Sequence, residues 1–478
     1  MEVESPNHQE KSRGWFKSLS EKLWSKMDDF VRRLIKLGKD DPKKIVHAIK
    51  VGLTITFVSI FYYFDPLFDG FGVSAMWAVL TVVVVFEYSV GATLGKGLNR
   101  MLATMVAGAL GIGAHRIATL SGHTGEPILI SVFNLIVAAT VTFVRFLPKM
   151  KARYDYGLMM FILTFCLVSV SGYRDDEVIH MAIKRLTTVI IGSCASVIMC
   201  ICIWPAWIGV DLHNQIATNL EKLGNFLEGY ADEYFKVSVD DQDGRSKDKS
   251  FLEGYKSILT SKNSEETMAN LARWEPRHGR FRYRHPWKQY LKVGTLAREC
   301  AYKIEALHSY LRSEIQTPPE VRNRIVEPCT MISKESSKAL KELATTIRKM
   351  TRSSIPDIHV ANSKAAAENL KSILKSGLSK DVDLLLVVPA AATASLLLEI
   401  VTCTEKIAEA VHELESRARF KRAKPRVIPD HQDDSSHHQL DQQGITNGSH
   451  DHHDDYVITI DGNGYSSNQV VPASRNHV

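Results

Sequence analysis

The sequence lacks most of the features that mark an enzyme or a disulfide-bonded secreted protein. Its 478 residues contain seven cysteines, and none has the spacing of a zinc site. No nucleophile elbow, phosphate-binding loop, HExxH helix or dinucleotide-binding glycine motif occurs. The first dozen residues are polar, so we expect no secretory signal. These absences predict reduced thiols, no cofactor and no enzymatic activity.

The chain divides into two halves that differ in charge and hydropathy. The net charge of +6 and the mean hydropathy of −0.09 average over both halves. Residues 45–210 are dense in Val, Ile, Leu, Phe, Ala and Gly, whereas residues 211–478 have the spacing of soluble helices and then a polar tail. A helix needs roughly 20 apolar residues to cross a bilayer. The first half therefore predicts six spans, at about 45–64, 72–88, 99–120, 126–147, 156–172 and 183–207.

Basic residues predict which loops face the cytosol. They precede the first span and lie between the second and third spans and between the fourth and fifth, whereas the opposite loops are mainly acidic. The residues concerned are Lys39, Lys43, Lys44, Lys50, Lys96, Arg100, Lys149, Lys151 and Arg153. Because cytosolic loops carry an excess of Lys and Arg, we expect both termini inside the cell.

Four regions are expected along the chain. A basic amphipathic N-terminal helix (1–44) precedes a transmembrane domain (45–208), a cytosolic helical domain (209–423) and a disordered polar tail (424–478). The first helix either lies on the anionic inner leaflet or packs on the cytosolic domain. The run 384–403 could form a seventh span, but its alanine- and threonine-rich middle favours a buried bundle helix. Cytosolic helices are predicted at 211–238, 250–273, 287–313, 320–352, 363–378 and 380–417.

The ionisable residues at membrane depth are mostly cations. Such a group costs about 2.5–3.5 kcal/mol at the bilayer centre and normally faces the protein interior or a water-filled path. Fixed cations along a pathway select anions, to which Arg donates charge-assisted hydrogen bonds. The alternative is that each cation reaches the interface or pairs with an acid, and Glu87 is the acid of comparable depth. The candidates are Lys96, Arg100, Arg145, Lys184 and Arg185.

The stretch 76–100 joins an apolar run to charge and glycine. Its apolar part is expected to end the second span at the cytosolic edge, where Glu87 can pair with a nearby base. Gly91, Gly95 and Gly97 are expected to bend the chain back toward the third span. Lys96 and Arg100 would then stand at the inner mouth of a pathway.

Three motifs closely resemble the plant aluminium-activated malate transporter family. They are "WAVLTVVVVFEYSVGATLGKGLNR" (77–100), "YDYGLMMFILTF" (154–165) and "WEPRHGRFRYRHPWKQY" (274–290), and the resemblance covers about residues 40–420. It implies an all-α membrane protein that forms a homodimer, with six transmembrane helices per subunit followed by a cytosolic helical-bundle domain. It also implies an anion channel for malate and other organic or inorganic anions. By position, the family's basic pore residues fall on Arg100, Arg145 and Arg185, with Lys96 and Lys184 as neighbours.

The resemblance also implies acidic residues that sense extracellular Al³⁺. They would fall on Asp69 and Asp176, and carboxylate oxygens suit a hard trivalent cation. This chain has His180 where an aluminium-responsive relative has an acid one helical turn further on, so activation by Al³⁺ is left open. Al³⁺ is thus expected at most as a regulator. The expected membrane is the plasma membrane, with the vacuolar membrane as the alternative.

Three functional hypotheses remain. The first is a passive anion channel whose partners are malate and other anions, membrane lipid and a second copy of the chain. The second is an ion-coupled exporter of organic acids, which would need an acid such as Glu87 in the pathway. The third is a membrane-anchored scaffold. Nucleic acid is not an expected partner, because the basic residues of the second half are interleaved with acids. The segment 274–290 is expected to be a rigid joint between helices, with a nucleotide or metabolite site as the alternative.

Overall fold

A computed structural model of the chain describes residues 8–63, 76–171, 178–234, 253–282, 285–311, 319–376 and 384–422. These residues are almost entirely helical. Within them, two strands of two residues each, β1 (Thr351–Arg352) and β2 (Lys421–Arg422), pair in parallel. The predicted polar tail and the two predicted Al³⁺-sensing acids lie outside the described residues.

A first group of helices contains the apolar half of the chain. The long helix α4 packs on α5, α6 and α7, and α3 packs on α2 and α7. Their outward-facing side chains are largely apolar and exposed, as lipid contact requires. The helices are α1 (His8–Asp40), α2 (Pro42–Tyr63), α3 (Met76–Val85), α4 (Val90–Thr119), α5 (Gly122–Arg145), α6 (Pro148–Ser171) and α7 (Val178–Cys202).

Five helices within the described part of the chain are long and apolar enough to cross a membrane. Four of them are α4, α5, α6 and α7, and the fifth spans Val387–Ala418. Helix α2 is not among these five, and the described part of α3 has 10 residues. Helices therefore occupy all six predicted positions, although their ends differ from the predicted ones.

The turn after α3 differs from the prediction. The chain reverses over residues 86–89, and the glycines at 91, 95 and 97 lie inside α4 rather than in a bend. Ser89 caps α4 by accepting a hydrogen bond from the Ala92 N–H at 3.3 Å. The Thr93 hydroxyl, 3.1 Å from the carbonyls of both Glu87 and Ser89, ties the turn to the helix. Side-chain capping by Ser89 and Thr93 thus stabilises the turn, and the glycines lie in the helix that follows it.

A second group of helices forms a bundle around one hydrophobic cluster. The predicted helix 250–273 is broken near Ser261, whose hydroxyl lies 2.7 Å from the Ile258 carbonyl. The helix predicted at 363–378 begins earlier, at Ile355, because Pro356 suits a first helical turn. The helices are α8 (Ile208–Tyr234), α9 (Lys256–Leu259), α10 (Lys262–Ala272), α11 (Trp287–Leu311), α12 (Pro319–Lys349), α13 (Ile355–Lys375) and α14 (Leu384–Ala418).

Helix α14 contains the run that could have been a seventh span. Ala390, Ala394, Leu397 and Ile400 are each fully buried in the cluster of the bundle. The helix packs on α11, α12 and α13. The prediction of a buried bundle helix is therefore confirmed, and the apolar composition of α14 reflects its place in this core.

Over its described side chains, from residue 22 onward, helix α1 leaves its apolar face uncovered. Leu23, Trp24, Met27 and Phe30 are 58%, 68%, 53% and 60% exposed. Asp41 alone separates α1 from α2, so α1 leads directly into the first apolar helix. Over residues 22–40, whose side chains the structure describes, the bundle thus does not bury this face.

Candidate functional site

Two of the predicted cations meet in one small cavity, which we call the arginine cavity. Arg100 comes from α4 and Arg185 from α7, and their side chains are 6% and 9% exposed. The cavity volume is about 20 Å³, which is room for about one water molecule. Its lining residues are Trp77, Arg100, Thr104, Met160, Leu163, Thr164, Arg185 and Val189.

Arg100 is held by neutral partners. Its Nη1 donates to the Tyr156 hydroxyl at 2.9 Å and lies 3.4 Å from the Met160 sulfur. Its Nε is buried and has no hydrogen-bond partner among the described residues. A buried donor without a partner carries a desolvation cost of about 1–3 kcal/mol or more when charged. An anion that enters the cavity would satisfy it.

Arg185 is also held without a carboxylate. Its guanidinium carbon lies 3.9 Å from the centre of the Trp77 ring, which is a cation–π contact. Within the described residues, neither Arg185 nor Arg100 forms a salt bridge. Two buried cations therefore share one cavity, and among the described residues no carboxylate pairs with either of them.

The other predicted cations are arranged differently. Lys96 pairs with Glu87, which confirms that this acid finds a nearby base. Arg145 donates to Asp155 through its Nε at 2.8 Å, at the turn between α5 and α6. Lys184 is half-buried and does not line the arginine cavity, because adjacent residues of a helix point about 100° apart. The structure therefore brings together two of the five candidates.

The predicted Al³⁺-sensing residues cannot be compared directly with the structure. Asp69 and Asp176 lie outside the described residues, and His180 is exposed in the first turn of α7. Within the described part of the chain, no group of three or more His, Cys, Asp or Glu side chains could hold a metal ion. The Al³⁺ prediction therefore stays a prediction.

The glycines at the start of α4 allow it to touch the bundle. A Cβ on Gly91 would overlap the Leu271 carbonyl oxygen, and a Cβ on Gly95 would lie 3.0 Å from Cδ1 of Trp274. Both partners lie at or just after the end of α10. The glycines thus permit a close contact between a membrane helix and the bundle.

The segment after Trp274 packs on the junction between α7 and α8. The buried Glu275 carboxylate accepts hydrogen bonds from the N–H groups of Ile208 (2.7 Å) and Gly209 (3.1 Å) at the start of α8. His278 stacks on Trp207 with ring centres 3.8 Å apart. Burial raises the pKa of Glu275 to about 7, against the smaller opposite effect of the two hydrogen bonds. These contacts fit the predicted rigid joint.

Comparison with known proteins identifies the family. The family described as "Aluminium activated malate transporter" matches residues 35–379. Aluminum-activated malate transporter 2 of Arabidopsis thaliana is 52% identical over 446 residues, which are 93% of this chain and 87% of that protein. The chain belongs to the aluminium-activated malate transporter family. Aluminum-activated malate transporter 1 of Triticum aestivum is 45% identical over 405 residues, covering 82% of this chain and 86% of that protein.

Family membership and the apolar helices make the chain an all-α, multi-pass membrane protein. In the site of this family member, sequence reasoning missed two aromatic residues. Trp77 and Tyr156 are the partners of the two buried arginines, and each lies in a motif that carried the family resemblance. The sequence signal that could have indicated Trp77 and Tyr156 is that each is an aromatic residue within a family motif. The sequence does not show which arginine each of them contacts, because that arginine lies on another helix.

Proposed function

We propose that the chain is a passive channel for malate and other organic or inorganic anions. The observation that carries the proposal is the arginine cavity, where Arg100 and Arg185 are buried without a carboxylate partner among the described residues. The relatives are named as malate transporters, which supports the same substrate here.

The physical basis is the cost of bringing an anion to membrane depth. A carboxylate that leaves water loses its hydration, and charge-assisted hydrogen bonds from guanidinium groups replace part of it. A dicarboxylate has two such groups, which suits two arginines in one cavity. At about 20 Å³ the cavity is too small for malate, so conduction requires α4 and α7 to separate there.

The proposed arrangement has six crossings with both termini in the cytosol. Residues 45–208 would form the transmembrane domain, residues 209–423 the cytosolic domain, and a second copy of the chain would complete a homodimer. The exposed apolar face of α1 supports contact with the inner leaflet over the alternative of packing on the bundle. We favour the plasma membrane over the vacuolar membrane.

The test is voltage clamp of the expressed protein with malate on the cytosolic side. We expect a current that reverses at the malate equilibrium potential and persists without a proton gradient. Flux that scales with the proton gradient, without a conductance, would instead support the ion-coupled exporter. The pairing of Glu87 with Lys96 gives that alternative little support, because the acid already has a partner. Liposomes that stay impermeable to malate at every voltage would support the scaffold.

Activation by Al³⁺ is tested in the same recordings. Extracellular Al³⁺ at acid pH is expected to increase the malate current if Asp69 and Asp176 form the sensing site. Replacing both with Asn should then remove the increase while leaving the basal current. An equal response in the double variant would reject these two residues as the sensor.

A further inference from the structure

A second cavity lies where the membrane helices meet the bundle, and we call it the vestibule. It is formed by the start of α4, the start of α6 and the end of α10 with the residues that follow. Its volume is about 370 Å³, within the range of small-molecule sites. It is lined by Ala92, Gly95, Lys96, Asn99, Lys151, Ala152, Arg153, Asp155, Tyr156, Met159, Asn270, Leu271 and Trp274.

The charges of the vestibule leave a positive excess. Its own acid, Asp155, is neutralised by Arg145 from outside, and its Lys96 is neutralised by Glu87. Lys151 and Arg153 are exposed to the cavity and form no salt bridge within the described residues. The local charge is therefore about +2, which a dicarboxylate would balance.

A third cation, Arg273 of the bundle, lies close enough to Arg153 to be affected by its charge. Partial burial and, to a lesser degree, the positive charge of Arg153 lower the pKa of Arg273. Arg273 directly precedes Trp274 of the vestibule wall. The cationic group thus draws on both the membrane helices and the bundle.

Tyr156 lies next to both the vestibule and the arginine cavity. Tyr156 lines the vestibule, and its hydroxyl accepts the hydrogen bond from Arg100, which lines the arginine cavity. On the same helix, Met159 lines the vestibule and Met160 the arginine cavity. The two cavities are therefore neighbours with Tyr156 between them.

We propose that the vestibule is a binding site for a dicarboxylate, held by Lys151 and Arg153 before it passes Tyr156 into the arginine cavity. The site rests on the proposed channel function and adds a place where the anion waits. Trp274 and Asn270 form the opposite wall, so the bundle takes part in substrate binding. The excess of two positive charges favours a dianion over a monovalent anion.

The test measures malate current against malate concentration in excised patches whose bundle side faces the bath. Lys151→Gln and Arg153→Gln should each raise the half-saturating malate concentration about threefold to fivefold, as expected for loss of one exposed charge contact. The half-saturating chloride concentration should change less. The matched control is Lys149→Gln, which removes the same charge from the first turn of α6 but does not line the vestibule.

A chemical variant restores the charge at the same position. Lys151→Cys should raise the half-saturating concentration, a cationic methanethiosulfonate applied from the bundle side should reverse the effect, and an anionic one should increase it. Malate in the bath should slow both modifications. The chain without the new cysteine, treated with the same reagents, is the control.

The outcomes separate the two proposals. If the wild-type protein carries malate current and Lys151→Gln and Arg153→Gln resemble Lys149→Gln, the vestibule site is wrong and the channel function stands. Equal changes for malate and chloride would reduce the vestibule to general electrostatic attraction and overturn the dicarboxylate site. The absence of any wild-type malate current would instead overturn the proposed function.

Discussion

The Tyr156 hydroxyl accepts a hydrogen bond from Nη1 of Arg100 at 2.9 Å, and Lys96 lies over the same ring, 5.6 Å from its centre. One aromatic side chain thus contacts a cation of the vestibule and a cation of the arginine cavity. The hydroxyl also competes with any passing anion for the donors of Arg100.

Tyr156→Phe removes the hydroxyl and keeps the ring. We expect the half-saturating malate concentration to fall severalfold, because a hydrogen bond to a charged group is worth about 1.5–3 kcal/mol and Arg100 would then seek an anion. The preference for anions over cations should not change. Tyr154→Phe, two residues earlier and outside both cavities, is the control. A half-saturating concentration that stays constant or rises would show that Arg100 does not bind the permeating anion.

Arg185→Gln tests the second buried cation. We expect malate current to fall at least tenfold and Arg185→Lys to retain part of it, since a charge remains but the flat contact with Trp77 is lost. Arg185→Glu should abolish anion selectivity or invert it. Lys184→Gln serves as the control, because it removes the adjacent charge outside the arginine cavity. Equal currents for Arg185→Gln and Lys184→Gln, at equal surface expression, would reject the cavity as the pathway.

Gly91→Ala tests the contact between α4 and the bundle. The new Cβ would overlap the Leu271 carbonyl oxygen, and overpacking of this kind costs about 1–3 kcal/mol. In Gly113→Ala the Cβ would meet open space, and the variant should gain up to about 1 kcal/mol of helix propensity. Thermal unfolding in detergent should therefore shift down for the first variant and not for the second. An equal change in the unfolding temperature of both variants would contradict the close contact of Gly91 with Leu271.

Arg298→Leu tests a buried ion pair in the bundle. Arg298 pairs with Glu265, whose side chain is fully buried and also accepts from Asn219 at 3.1 Å. Removing one partner leaves an uncompensated buried charge and should lower the free energy of unfolding by about 3–5 kcal/mol. Lys371→Ala breaks the exposed pair with Glu368 and should cost less than about 1 kcal/mol. Similar losses in chemical unfolding would contradict this view of the pair.

The sequence predicted the positions of the helices better than the contacts between them. Hydrophobic length and period located the six apolar segments and the buried α14, because these signals depend only on neighbouring residues. The glycines of α4 were misread as a bend, since glycine serves both turns and close helix contacts. The positions of Leu271 and Trp274, far along the chain, distinguish the two uses.

In the candidate site, too, the sequence predicted positions better than contacts. Five cations were predictable from charge within or next to apolar segments, but the sequence did not show which of them share a cavity. Lys96 and Arg145 have acidic partners, and one of those acids, Asp155, was not among the acids that the sequence analysis considered. The partners of Arg100 and Arg185 lie on other helices and emerge only when the helices pack. The vestibule likewise needs residues from three separate segments.

Glu275→Gln tests the joint through its pH dependence. Burial raises the pKa of Glu275 from 4.5 to about 7 in the folded protein, so between these values the folded chain holds a proton that the unfolded chain has lost. The free energy of unfolding should therefore fall as the pH rises from 5 to 7, by up to about 1.4 kcal/mol per pH unit. In Glu275→Gln this part of the slope should vanish.

His278 and Asp211 titrate nearby but are common to both proteins, so the difference between the two slopes isolates Glu275. The control is Glu413→Gln, because the pKa of Glu413 is lowered to about 2 and its effect lies below this window. Equal slopes in the wild-type protein and Glu275→Gln would show that the carboxyl is already ionised in the fold.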